Sequence, residues 1–221
     1  MNSIPFAFCD AVIGTIKKLP RVDVPFRDAK WNIALEDHSA NRECFQLYLG
    51  FWDGKWFYGV FSAQSDSNAL FKSLLERVGP KYLRIDMFQC MVSQWCVTEI
   101  SKDDLQPLIK SLKPFLNFPK LHLCDVASKI PEGDVAELLS SFAKINISAF
   151  FSTCKGPSVT VAAFVKKLMQ EDTLVKKITV GGKQDVLAAA IVEYQATGKV
   201  VHYDTQRFRN GGNRTSLRFA R

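Results

Sequence analysis

Apolar residues first repeat at helical spacing. Between Phe6 and Leu19, Cys9, Val12, Ile13 and Ile16 fall at i, i+3, i+4 and i+7, which puts them on one face of a helix. Pro20 and Pro25 break the pattern, and Trp31 follows a short charged segment. From Cys44 to Phe61 the period becomes two. Two aromatic-rich runs, Phe45 to Leu49 and Trp56 to Phe61, flank Asp53-Gly54, a pair that tolerates the positive φ of a tight hairpin turn. Ser65 to Val78 again reads as helical, with Leu70, Phe71, Leu74, Leu75 and Val78 on one side and Gly79-Pro80 as the stop.

From Tyr82 onward a strand-like run followed by an amphipathic helix recurs. The strands are Tyr82–Asp86, Leu121–Cys124, Ile147–Phe151 and Lys177–Val180, with Val200–Tyr203 starting a further unit. The helical stripes between them are Leu105, Leu108, Ile109 and Leu112; then Val135, Leu138, Leu139 and Phe142; then Val161, Phe164, Val165, Leu168 and Met169; and last Val186, Leu187, Ala190, Ile191 and Tyr194. Ser101 with Asp104 forms an acidic capping box, and Pro131-Glu132 opens the next helix. One such unit cannot bury its apolar face alone, whereas stacked neighbours close a continuous core. Helices between strands also imply parallel pairing.

The spacing of roughly 26 to 37 residues is looser than a strict array and sits near the range of strand-helix solenoid repeats of leucine-rich type. The expected fold class is α/β, with an N-terminal helical segment (residues 1–43) and then a β-hairpin and strand-helix repeats (residues 44–221). The repeats form either a leucine-rich-like array or a layered parallel-sheet α/β domain. The tight Leu-x-x-Leu-x-Leu signature with its asparagine is missing, so both arrangements stay open.

Composition narrows the function classes. With 47% hydrophobic and 23% charged residues, the chain can bury a core and is unlike a disordered tail. No run of about 18 apolar residues predicts a membrane span, and Asp10 interrupts an N-terminus without a basic lead, so an intracellular protein is expected, cytoplasmic or nuclear. The six cysteines contain no Cys-x-x-Cys pair and read as reduced thiols. A net charge of +7 permits an acidic partner.

The start of the chain resembles an F-box. Ile4-Pro5 matches the motif's opening, Val12, Ile13 and Ile16 match its apolar helical face, and Trp31 stands at the distance of its closing tryptophan. Together with the strand-helix array behind it, this segment is similar to the nematode-expanded F-box-like proteins. The match covers about the first 30 to 40 residues. The resemblance implies a non-enzymatic protein-interaction module that brings a target to a cullin-type ubiquitin ligase, with Pro5, Phe6, Val12, Ile13 and Trp31 as candidates for contact with the ligase adaptor. Arg27-Asp28-Ala29-Lys30 departs from the hydrophobic residue that the motif places before its tryptophan, and Pro20 and Pro25 stand where its second helix belongs.

No residue pattern names a reaction, a cofactor or a metal. His38, His122 and His202 have no partner at metal-binding spacing, and no serine sits in a Gly-x-Ser-x-Gly elbow. His122 and His202 fall in strands, where a hydrogen-bonded structural histidine is the expectation. Gly181-Gly182-Lys183 lacks the leading glycine of a phosphate loop and carries Gln184 where the magnesium-binding hydroxyl belongs. An alternative function rests on the C-terminus, where Arg207, Arg209, Arg214, Arg218 and Arg221 follow the last acid and flank a predicted hairpin turn at Asn210–Asn213. Such a strip could bind nucleic-acid phosphates, or it could keep an edge hairpin soluble.

Overall fold

The computed structural model describes residues 4–16, 19–23, 25–62, 65–69, 71–91, 96, 98–124, 130–142, 147–153, 159–170, 175, 177–181, 192, 196, 200–207 and 213–219, with 65–69 and the last two ranges as backbone apart from Ser216. The chain opens with helix α1 (Phe6–Thr15) and helix α2 (Ala29–Asn41). The first ends at Thr15, short of Leu19, because side chains from elsewhere take its terminal carbonyls. Arg42 donates to Ile13 O at 2.7 Å and Ile16 O at 2.5 Å, and Arg84 donates to Gly14 O at 2.9 Å. The helix that Pro20 and Pro25 were expected to prevent forms after them. Asp28 accepts Lys30 N at 2.8 Å as its N-cap, so the prolines are confined to the connection.

Strands β1 (Glu43–Trp52) and β2 (Lys55–Ser62) make the expected hairpin, with Asp53 at φ 50° and Gly54 at φ 75° in the turn. The helix expected from Ser65 is overturned at its start. Ser65–Ala69 is strand β3, paired antiparallel with β2, and helix α3 begins at Phe71 and ends at Val78. Ser, Asp and Asn compete with helical backbone bonds, and an open sheet edge was within reach. Gly79, at φ 77°, donates its N–H to Leu75 O and closes the helix in the left-handed conformation.

The units that follow are β4 (Leu83–Met91), β5 (Thr98–Ile100), α4 (Lys102–Leu112), β6 (Leu116–Cys124), α5 (Glu132–Phe142), β7 (Ala149–Ser152), α6 (Val159–Gln170) and β8 (Lys177–Gly181). A terminal hairpin, β9 (Val200–Arg207) and β10 (Asn213–Phe219), completes the chain. The capping box forms, with Ser101 Oγ accepting Asp104 N at 3.2 Å. The predicted helix around Val186–Tyr194 lies outside the described residues, Val192 excepted.

Among the described residues the strands form one ten-stranded sheet in the order β3-β2-β1-β4-β6-β7-β8-β10-β9, with β5 added beside β2. The strands from β1 to β8 in this order are mutually parallel, and the hairpins at both ends are antiparallel. The fold is thus mixed α/β around a mostly parallel sheet. The parallel strands add in sequence order, so each crossover steps the chain one strand further in the same direction.

Register separates the two faces of the sheet. Leu47, Phe88, Leu121, Phe150 and Ile178 lie side by side across it, and all are buried with the apolar stripes of α3 to α6 in one core. All the predicted stripe residues of α5 and α6 belong to this core. One position further along, Tyr48, Gln89, His122, Phe151, Thr179 and Ser216 form the matching row on the opposite face. A second, small core of Cys9, Ile13, Ala34 and Leu35 joins α1 to α2, with Ile16, Leu19 and Trp31 packed against it.

Candidate docking surface on the N-terminal helical pair

The helical pair sits at the N-terminal ends of the parallel strands on a polar hinge. Arg84 reaches up from β4 with Nε and Nη2 to Gly14 O, while its Nη1 donates to Leu83 O. Lys81 Nζ lies 2.8 Å from both Asp10 Oδ1 on α1 and Asp37 Oδ2 on α2, and Tyr82 donates to the same Asp37 oxygen at 2.7 Å. These donors hold Asp37 below the usual carboxylate range, and the two carboxylates push Lys81 upward. His38 is 1% exposed and its Nε2 lies 3.2 Å from Asp10 Oδ1. Burial, reinforced by Arg42, lowers its pKa below that of an ordinary histidine.

Between the pair and the sheet lies a cleft of about 470 Å³ lined by Asp10, Gly14, Thr15, His38, Lys81 and Arg84. Its polar groups are committed to one another. Arg84 is spent on carbonyls and Lys81 on carboxylates, and the Thr15 hydroxyl donates to Val12 O at 2.7 Å. The cluster therefore works as a clamp that fixes the pair on the sheet.

The outer side of the pair is apolar. Phe8 and Phe26 both meet the ring of Trp31, at centroid distances of 6.1 and 5.9 Å, and Phe8 is 53% exposed. The pair also exposes Ile4, Phe6, Val22 and Ile33, the last at 54%. Polar ties hold this surface in place. Asn32 accepts Phe26 N at 2.6 Å and returns a bond to Phe26 O at 3.0 Å, and Lys30 Nζ donates to Ile4 O at 2.9 Å. Isolated exposed apolar residues are ordinary on any protein, whereas here aromatic rings meet as a fixed group.

The residues expected to contact an adaptor divide by position. Pro5 is exposed, and its carbonyl accepts the first amides of α1, from Phe8 and Cys9. Phe6 is exposed, Val12 and Trp31 are half-buried, and Ile13 is wholly inside the small core, where it supports the surface from beneath. Sequence reasoning missed Phe8, Phe26 and Ile33. The available signal was that Phe8 lies off the Cys9–Ile13 stripe of its own helix.

The candidate phosphate-binding arginines lie at the far end of the sheet. Arg207 ends β9, while Arg214 and Arg218 are on β10 opposite Gly181 and Lys177 of β8. Arg209 and Arg221 lie outside the described residues. The cysteines at 9, 90 and 96 are buried and in no disulfide, and burial pushes Cys96 up to about 11. His122, expected to be a hydrogen-bonded structural residue, has a buried Nε2 with no hydrogen-bond partner among the described residues. The side chain of His202 lies outside them.

Among the described residues no helix is long and apolar enough to cross a membrane, and no group of His, Cys, Asp and Glu could hold a metal ion. The fold and surface define a class, an α/β sheet carrying a clamped helical pair with an apolar outer side. Comparison of the chain with family models, curated protein sequences and solved structures finds no match.

Proposed function

We propose that the chain is a non-enzymatic, intracellular protein-interaction module. It resembles an F-box-like substrate-recognition subunit of a cullin-type ubiquitin ligase, with the N-terminal helical pair docking on the ligase adaptor and the strand-helix array receiving a target. The observation that carries this reading is the aromatic group in which exposed Phe8 and Phe26 meet half-buried Trp31, on a helical pair that has its own small core, is tied together by Arg42 and is clamped to the array by Arg84 and Lys81. Each large apolar side chain buried on docking contributes about 1.5–3 kcal/mol, so three or four suffice for a specific contact. The leucine-rich-like reading of the array draws support from parallel strands that add in sequence order with α4, α5 and α6 packed side by side.

The test is co-purification of the chain with the ubiquitin-ligase adaptor, beside a Phe8→Asp/Ile33→Asp variant. Both positions are more than half exposed, so the variant keeps its fold by circular dichroism. Capture of the parent and its loss in the folded variant is the expected result. A parent chain that fails to bind the adaptor removes the ubiquitin-ligase reading.

A further inference from the structure

We propose that the sheet face opposite the helices binds an extended acidic segment of a protein partner, held across β6, β7 and β8 by Lys120, Lys177 and His122 beside Phe151. Parallel sheets ordinarily have both faces covered, because each strand-to-strand crossover lays a helix on the sheet. Here α3 to α6 share one core with one face only. The other face carries the row from Tyr48 to Ser216, half-buried throughout except for Thr179, which is buried.

Among the described residues the middle of that face is cationic, and its own strands bring no counter-charge. Strands β6, β7 and β8 contain no Asp or Glu at any position. Register places Lys120 and Lys177 on either side of Ala149, which is 8% exposed. With strands about 4.8 Å apart, the two lysines stand roughly 10 Å from each other over a small-residue floor. The nearest acids in register are Asp86, at the bulge of β4, and Asp204 on β9 opposite Ser216, two strands beyond β8.

Two residues further along the same strands, the His122 and Phe151 rings meet at 4.5 Å between centroids, tilted by 55°, and Lys177 Nζ lies 5.7 Å from the Phe151 ring centre. His122 Nε2 is buried and has no hydrogen-bond partner among the described residues. Side chains on one side of an extended peptide repeat at about 6.6–6.8 Å, a spacing that flexible lysines can follow, so acids at alternate positions fit the pair.

The same groups favour a protein segment over a nucleic acid. Single-stranded nucleic acids need bare ring faces for stacking. The Phe151 ring already has His122 and Lys177 against it.

The experiment is selection of random peptides displayed on phage against the full chain. It is repeated on a Lys120→Glu/Lys177→Glu variant and, should that fail to fold, on Lys120→Gln/Lys177→Gln. The selected peptide is then synthesised and its affinity measured by fluorescence anisotropy at low and high salt. The expected result is enrichment of peptides with alternating acids, bound at least about tenfold more weakly by the variant and more weakly at high salt. Enrichment without acidic bias, or equal binding by the variant, overturns the proposal. So does tighter binding of a twelve-residue oligothymidylate that is lost in the same variant, which makes the face a nucleic-acid platform. The Phe8→Asp/Ile33→Asp chain keeps its peptide affinity, so failure of adaptor docking and failure of this site are read separately.

Discussion

Arg84 on β4 donates both Nε and Nη2 to the carbonyl of Gly14 in the last turn of α1, at 3.3 and 2.9 Å. This contact joins the two cores, since Gly14 follows Ile13 of the small one and Arg84 lies between Leu83 and Ile85 of the large one. Arg84→Met keeps the aliphatic stem and removes the donors. The expected loss is about 1.5–3 kcal/mol, the range for hydrogen bonds to a charged group. Amide hydrogen exchange should accelerate in α1 and stay slow in β4. Equal acceleration in both would show that the clamp does not hold the pair separately.

Ile13 and Phe8 test inside against outside on the same helix. Ile13→Ala empties a fully buried position and should cost about 2–5 kcal/mol in denaturant unfolding. Phe8→Asp, at an exposed position, should change stability by no more than about 0.5 kcal/mol. A large loss from the second substitution would mean that Phe8 belongs to the core, and the docking surface would have to be redrawn.

Lys81 neutralises Asp10 and Asp37 together. Lys81→Met should return the Asp37 pKa upward toward its ordinary value, read by carboxyl carbon NMR titration. The stability cost should stay at about 1 kcal/mol, because the lysine is 40% exposed. An unmoved Asp37 would show that Tyr82 and Asn41 alone hold it down.

Acid should weaken the fold in two stages. His38 and His122 both lie below the ordinary value of 6.5, chiefly through burial, so the unfolded chain takes up protons before the folded one does. Stability is therefore full above 6.5 and falls as pH drops below it. Around His38, Arg42, Lys81 and Arg84 strengthen this and Asp10 opposes it. Asp37, held below 3.8, adds stability that is present above that pH and is lost on further acidification. Urea midpoints at pH 7.5 and 5.5 should differ, and His38→Gln should shrink the difference. An undiminished difference would assign the effect to other groups.

Periodicity by itself determined the strand-helix alternation. The stripes Val135–Phe142 and Val161–Met169 are buried as read, because a helix with one apolar face has one way to hide it. The hairpin at Asp53-Gly54 was equally legible, since few residue pairs accept two positive φ angles in a row. Tertiary structure decided where local preference was weak. Ser65–Ala69 became a strand because β2 offered an unpaired edge, and α1 stopped at Thr15 because Arg42 and Arg84 took its carbonyls. The aromatic group on the helical pair and the cationic row on the sheet were likewise invisible in the sequence. The meeting of Phe8 and Phe26 on Trp31, and the alignment of Lys120, Ala149 and Lys177, depend on pairings between distant segments, and register is set by the packed core rather than by neighbours along the chain.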